Sequence, residues 1–230
     1  MTDEVSSTAG ELKSMSLILG VLAGGLGSRF IGGSKVEVRI GDEPIIAWQA
    51  RRLGSMCGGR CWLSLAPGQN KPSGSNLYQQ VVVDRFEGIG PLAGIAALLE
   101  NAGHENVVLI IPADMPLIDS CDLERLIIAL EHAPDCKVVM GRWSDGDRQG
   151  TVEPFPSAWR GRTGLALVQK AMAEDLHGPH RLGERPDVLC VPLTVKCDGS
   201  RYQNINREED MAAVQNQLGC RVWVNPLHTE

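Results

Sequence analysis

The 230 residues predict an α/β fold, with a mostly parallel central sheet covered by helices on both faces. Three observations lead there. Short apolar runs alternate with segments of helical periodicity, the pattern of strand–helix–strand units. The most apolar run, VVLIIP at 107–112, reads as a central strand. A glycine-rich stretch, LAGGLGSRFIGGSK at 22–35, directly follows the first apolar run, at the strand end where open parallel sheets place ligands.

The elements follow in order. SLILGVL (16–22) is a buried strand, and EPIIAWQARRL (43–53) is a helix with Pro44 in its first turn. CWLSL (61–65) and QVVV (80–83) are strands separated by the loop PGQNKPSGSN. GPLAGIAALLENA (90–102) is a helix with Pro91 near its start. DSCDLERLIIALEHA (119–133) is a helix opened by an Asp/Ser cap. Beyond residue 136 the pattern loosens: KVVMG (137–141), TVEPF (151–155) and VLCVPL (188–193) read as strands, and GLALVQKAMAED (164–175) and REEDMAAVQNQL (207–218) as helices. Residues 16–218 are expected to form one domain, with 1–15 a disordered leader and 219–230 a C-terminal tail.

Composition narrows the function. A chain that is 43% hydrophobic and 22% charged has the makeup of an ordinary globular protein. A net charge of -6 argues against nonspecific nucleic-acid binding, which needs a basic surface. No apolar stretch is long enough to cross a bilayer, and the polar, acidic MTDEVSSTAGELKS has the opposite character to a signal peptide. The seven cysteines lack paired spacing, and Cys57 and Cys61 make no C-x-x-C motif. Reduced thiols in the cytoplasm, with His177 and His180 as surface residues, are the expectation.

Three stretches sit at strand ends and carry the chemistry. The glycine-rich segment holds five glycines, Arg29 and Lys35 and no carboxylate. Glycine weakens packing, so such a run points to bare N–H groups lining an anion, with the two cations offsetting its charge. The dinucleotide fingerprint fails at Phe30 and the phosphate-loop pattern fails at Val36, so a nucleotide triphosphate tail is expected in a different cradle. Asp114, in PADMPL, follows the most apolar run, where a carboxylate is costly without a partner. It either binds Mg²⁺ beside phosphate oxygens or caps a turn before Pro116. Asp84 ends VVVD and has those two readings, or accepts hydrogen bonds from a base or ribose. GIGPLAG (88–94) serves either helix packing or ligand contact. In YQNINREED (202–210), Asn206 either caps the following helix or lies near a metal.

LAGGLGSRF…SK, DRFEGIGPLAGI, PADMPLID and NINREED, in that order, resemble the molybdenum cofactor guanylyltransferase family over about residues 16–218, as does HGPHRL (177–182), similar to its late G-x-x-R-L segment. The resemblance implies a three-layer α/β/α nucleotidyltransferase (Rossmann-like) fold and a Mg²⁺-dependent reaction of GTP with molybdenum-loaded molybdopterin. Molybdoenzymes or other cofactor-assembly proteins are implied as further partners, without nucleic acid or membrane. Carried over by motif, Leu22, Ala23, Gly24 and Gly25 lie along the nucleotide, Lys35 contacts its phosphates, Asp84 sits in the nucleotide site and Asp114 binds Mg²⁺. Arg29 and Lys35 would cover the departing pyrophosphate. Ile31 and Ser34 stand where the family has glycine and aspartate, and a nucleotide-assisting asparagine is replaced near Ala66. The opening loop also resembles cytidylyltransferases and sugar-nucleotide pyrophosphorylases, and these departures keep a non-catalytic nucleotide-binding regulator in view.

Overall fold

Strand β1 (Ser16–Leu22) lies between β4 (Cys61–Leu65) and β6 (Asn106–Pro112) and runs parallel to both. Leu22 is the register partner of Ser64 on one side and of Pro112 on the other. The computed structural model describes residues 16–24, 37–85, 89–103 and 106–224. Beyond β4 comes β5 (Gln80–Val83), also parallel. Beyond β6 come β8 (Val152–Arg160), β7 (Val138–Trp143) and β9 (Val188–Leu193), giving the order β5-β4-β1-β6-β8-β7-β9. The chain leaves β1 toward β4 and β5, then returns across the sheet to β6. The β1–β6 boundary is therefore the switch point where open α/β sheets form a ligand crevice.

Packing follows from the apolar runs. In β6, Val108 to Ile111 are wholly buried, each such side chain stabilising the fold by roughly 1.5–3 kcal/mol. The sheet is flanked by α1 (Ile45–Leu53), α2 (Pro91–Ala102), α3 (Ser120–His132) and α4 (Gly161–Ala173). Asp119 caps α3 through Ser120 N–H, and the Asp122 carboxylate accepts from the Asp119 N–H at 2.9 Å, as the Asp/Ser start of that segment predicts.

Several expectations shift. Strand β8 pairs antiparallel with both β6 and β7. Only residues 144–151 separate it from β7, too few for the crossover that parallel neighbours need. It also runs on through Ser157–Arg160, so α4 begins at Gly161 rather than at residue 164. Pro44 lies before α1 instead of in its first turn. Its extended backbone (φ -57°, ψ 141°) completes β3 (Glu43–Pro44), which pairs with β2 (Val38–Ile40). Residues 219–224, within the segment read as tail, reverse after α6 (Glu208–Leu218) and supply β10 (Val222–Val224), which joins β2 and β3 in a second sheet. Among the described residues no helix is long and apolar enough to cross a membrane.

Candidate nucleotide site

The parallel ladder continues one residue beyond the strands. Ala23 N–H donates to Ser64 O at 2.8 Å, Ala113 N–H to Leu22 O at 2.9 Å and Asp84 N–H to Leu65 O at 2.9 Å. Leu22, Ala23, Gly24, Asp84 and Asp114 consequently share one edge of the sheet, with Asp84 on the β5 side of β1 and Asp114 on the β6 side. Three strand spacings of about 4.8 Å put these two acids about 14 Å apart across the edge.

Gly24 is required by its surroundings. A Cβ there would lie 2.9 Å from Ala66 N and 3.0 Å from Asp84 Oδ2. The same is true of Gly94, whose Cβ would sit 2.8 Å from Ser64 Oγ and 3.4 Å from Asp84 Oδ1. Gly94 thus lets α2 close over the Ser64–Asp84 pair, a packing role for this glycine of GPLAG. Asp84 is buried, 9% exposed, and its Oδ1 accepts a 2.5 Å hydrogen bond from Ser64 Oγ. Burial pushes its carboxyl above the ordinary carboxylate value, and the Ser64 hydroxyl partly opposes the shift. The first turn of α2, with no acidic residue, adds a positive dipole end to the same region.

Asp114 is half-buried in a loop held from two sides. From α1, Trp48 Nε1 donates to Pro116 O at 3.1 Å, Gln49 Nε2 to Pro112 O at 2.9 Å and Met115 O at 3.2 Å, and Arg52 Nη1 to Pro116 O at 2.8 Å and Ile118 O at 3.2 Å. Arg52 lies four positions after Trp48 and three after Gln49, so neighbouring positions on the surface of α1 grip the whole loop. From the other side, Ile205 N–H donates to Asp114 O at 2.8 Å. Ile205 is fully buried, and exposed Asn204 and Asn206 flank it beside the Asp114 loop. The N-cap of α6 is Arg207, and the carboxylate of Asp210 accepts from the N–H groups of Asn206 and Arg207 at 2.7 and 2.8 Å.

Five of the expected site residues are thus brought to one edge. Gly25, Arg29 and Lys35, together with Ile31 and Ser34, lie outside the described residues. The HGPHRL segment forms a short 3-10 helix at Pro179–Glu184. A Cβ on Gly90 would meet His177 O at 3.3 Å, so this segment abuts the start of α2. His177 and His180 are exposed. Among the described residues no group of three histidines, cysteines or acids is arranged to hold a metal ion.

Sequence reasoning missed Ser64, Gln69, Trp48, Gln49 and Arg52. Ser64 did leave a signal, as the one hydroxyl in the otherwise apolar CWLSL strand. The others each reach backbone 46 or more residues away, Gln69 while also holding Ala66 N–H three residues back, and such distant contacts leave no local pattern.

The sheet thus carries a glycine, a buried acid and a clamped acidic loop along one edge, around the switch point where an α/β protein of this class forms its ligand crevice. The profile of the MobA-like NTP transferase domain matches residues 19–187, and the chain belongs to that family. It is 31% identical to the molybdenum cofactor guanylyltransferase of Ectopseudomonas mendocina over 209 residues, covering 87% of this chain and 92% of that protein. It is 30% identical to the probable molybdenum cofactor guanylyltransferase of Thermococcus kodakarensis over 199 residues, covering 85% and 92%. Among solved structures, molybdopterin-guanine dinucleotide biosynthesis protein A from Archaeoglobus fulgidus shares the fold, with a TM-score of 0.68 at 21% identity, covering 87% of this chain and 98% of that one.

Proposed function

We propose that the protein transfers GMP from GTP to molybdenum-loaded molybdopterin, forming the guanine dinucleotide cofactor and releasing pyrophosphate. The observation that carries this reading is the placement of Asp84 and Asp114 on either side of the β1 exit, with Gly24 between them, in a chain of this family. Asp84, buried against Ser64, receives the nucleoside end through its free acceptor capacity. Asp114, held by α1 and Ile205, faces the triphosphate end.

An oxygen of the pterin's terminal phosphate forms a bond to the α-phosphorus of GTP. The bond from that phosphorus to the bridging oxygen breaks, and pyrophosphate leaves with the electron pair. The attacking phosphate is already ionised at neutral pH, so no side chain has to remove a proton. The chain's task is to align two polyanions and to exclude misaligned approach, which the fixed backbone around Gly24 and the Asp114 loop favours. Arg29 and Lys35 are assigned to the charge gathering on the leaving group. A half-buried carboxylate in a firmly held loop fits Mg²⁺, which takes one or two protein carboxylates and completes its shell with water and phosphate oxygens. Asp114 would hold that ion, and the ion would supply charge neutralisation at the phosphates. Molybdoenzymes or other cofactor-assembly proteins are the natural recipients of the product.

Pyrophosphate release measured with GTP, CTP, ATP and UTP, each with and without molybdenum-loaded molybdopterin, tests the reading. Release from GTP that depends on the pterin is expected. A preference for CTP or UTP, or nucleotide binding without any release, would replace it with a cytidylyltransferase, a pyrophosphorylase or a regulator.

A further inference from the structure

Gln69 joins the two strand exits that border Gly24. Its Nε2 donates to Ala23 O at 3.0 Å, and its Oε1 accepts from Ala66 N at 3.0 Å. Its own N–H closes the turn onto Ala66 O at 3.1 Å. Gly68, at φ 72°, lets the chain reverse so that the side chain reaches back over the ends of both strands. One carboxamide thus acts as donor to the β1 exit and acceptor from the β4 exit, just past the last ladder bond from Ala23 N–H to Ser64 O.

The spacing fixed in this way matters because it is already minimal. The space that a Cβ of Gly24 would need is occupied by Ala66 N at 2.9 Å and Leu65 C at 3.2 Å on one side and by Asp84 Oδ2 at 3.0 Å on another. A parting of the two exits by a few tenths of an ångström would change where Gly24 presents its backbone relative to the Asp84 carboxylate. The link also occupies Ala66 N–H and one acceptor site on Ala23 O, leaving Asp84 as the prominent recognition group there among the described residues. Asp114 lies on the far side of β1, so the linked region belongs to one end of a ligand spanning this edge.

We propose that Gln69 is the positioning residue for the nucleoside end of the bound triphosphate, fixing the spacing between the β1 and β4 exits at which base and ribose meet Gly24 and Asp84. This inference rests on the reading of the edge as a nucleotide site. A carboxamide is needed because both a donor and an acceptor are used. Glutamate keeps the bond from Ala66 N–H but sets a negative charge against the Ala23 carbonyl, and alanine keeps neither bond.

The test compares wild type with Gln69→Ala and Gln69→Glu in the full chain. Readouts are the KM and kcat for GTP, the inhibition constant of inorganic tripolyphosphate, and thermal melting. Both variants should raise the KM about tenfold, about 1.4 kcal/mol, with kcat and the tripolyphosphate constant held within twofold. An unchanged KM would overturn the proposal, as would a tripolyphosphate constant rising in step, since the effect would then not be confined to the nucleoside end. If alanine melts far below wild type, the near-isosteric glutamate variant carries the test. If wild type prefers another nucleoside triphosphate, the GTP reading fails separately, and the same comparison is made on the preferred nucleotide. If wild type turns over none, equilibrium titrations of nucleotide and tripolyphosphate give the same split.

Discussion

Beside β7 and β9, acids meet guanidinium groups; beside β4 and β5, Asp84 meets a hydroxyl. On the first side, Arg201 places Nε and Nη2 on the fully buried Asp122 at 3.0–3.1 Å, and its Nη2 also reaches Asp198 at 2.9 Å. Asp198 lies at the end of α5 (Val195–Asp198) and is bonded in addition by Arg125 Nη1 at 3.2 Å and by Thr194 N–H at 2.8 Å. Arg125 extends the network to the Tyr202 hydroxyl at 3.1 Å, and Trp143 packs edge-on against that ring. On the second side, burial and Ser64 set the state of Asp84, and among the described residues no cation pairs with it. The network neutralises its charges internally and fastens the chain leading to Ile205 onto α3. The Asp84 end keeps acceptor capacity that its one hydrogen bond from Ser64 does not consume. Substitutions on the network side should therefore cost stability, and those at the exit edge should cost function.

The largest expected effect lies at the edge. Asp114→Ala should reduce pterin-dependent pyrophosphate release by about a thousandfold, the scale on which removing one group that stabilises transition-state charge acts. Its urea midpoint should stay near that of wild type, because the loop is held through the carbonyls of Pro112, Met115, Pro116 and Ile118 rather than through this carboxylate alone. Near-normal turnover would remove Asp114 from the reaction, and a collapse of the midpoint would make it a structural acid like Asp122.

The network supplies the reverse case. Asp122→Ala removes the bidentate partner of Arg201 and the carboxylate that accepts from Asp119 N–H at the start of α3. Breaking a buried pair from one side costs about 3–5 kcal/mol, and a value at the lower end is expected because Arg201 retains Asp198 and is 30% exposed. Chemical denaturation gives the number. A loss below about 1 kcal/mol, the range of surface pairs, would mean that this network is not what fastens the chain.

The same contrast explains what could be read from the sequence. Strand positions were legible because β1, β4, β5 and β6 are short, largely apolar runs, and the acids stood out because Asp84 directly follows β5 and Asp114 comes two residues after β6. Of the glycine run only Gly24 lies among the described residues, and there a residue without Cβ is needed between Ala66 and Asp84. The second sheet was not legible. Its strands are two or three residues long, too short to show alternation, and Val222 pairs with Ile40 from the other end of the chain. Nor was the true start of α4, because SAWR suits a strand or a loop until Arg160 is seen donating to Cys136 O and Leu130 O. The clamp from α1 and the link through Gln69 use ordinary polar side chains aimed at distant backbone, so they become visible only once the strands are placed.

A smaller effect probes the state of Asp84 directly. Burial raises its folded carboxyl above the ordinary value kept by the unfolded chain. Between those two values the native state binds more protons than the unfolded one, so this group's contribution to stability falls as pH rises through the window. Asp84→Asn keeps an acceptor for Ser64 Oγ but has no such titration. The unfolding free energy of the variant minus that of wild type should therefore increase as pH rises from the acid side and level off above the raised value. Ser64→Ala removes the hydrogen bond that opposes the shift, so in that background the window should extend upward. Urea unfolding at closely spaced pH values reads both changes. A difference that stays flat through the carboxylate range would mean that Asp84 is solvated as well as an ordinary surface acid, and the distinction between the two sides of the sheet would then rest on Asp114 alone.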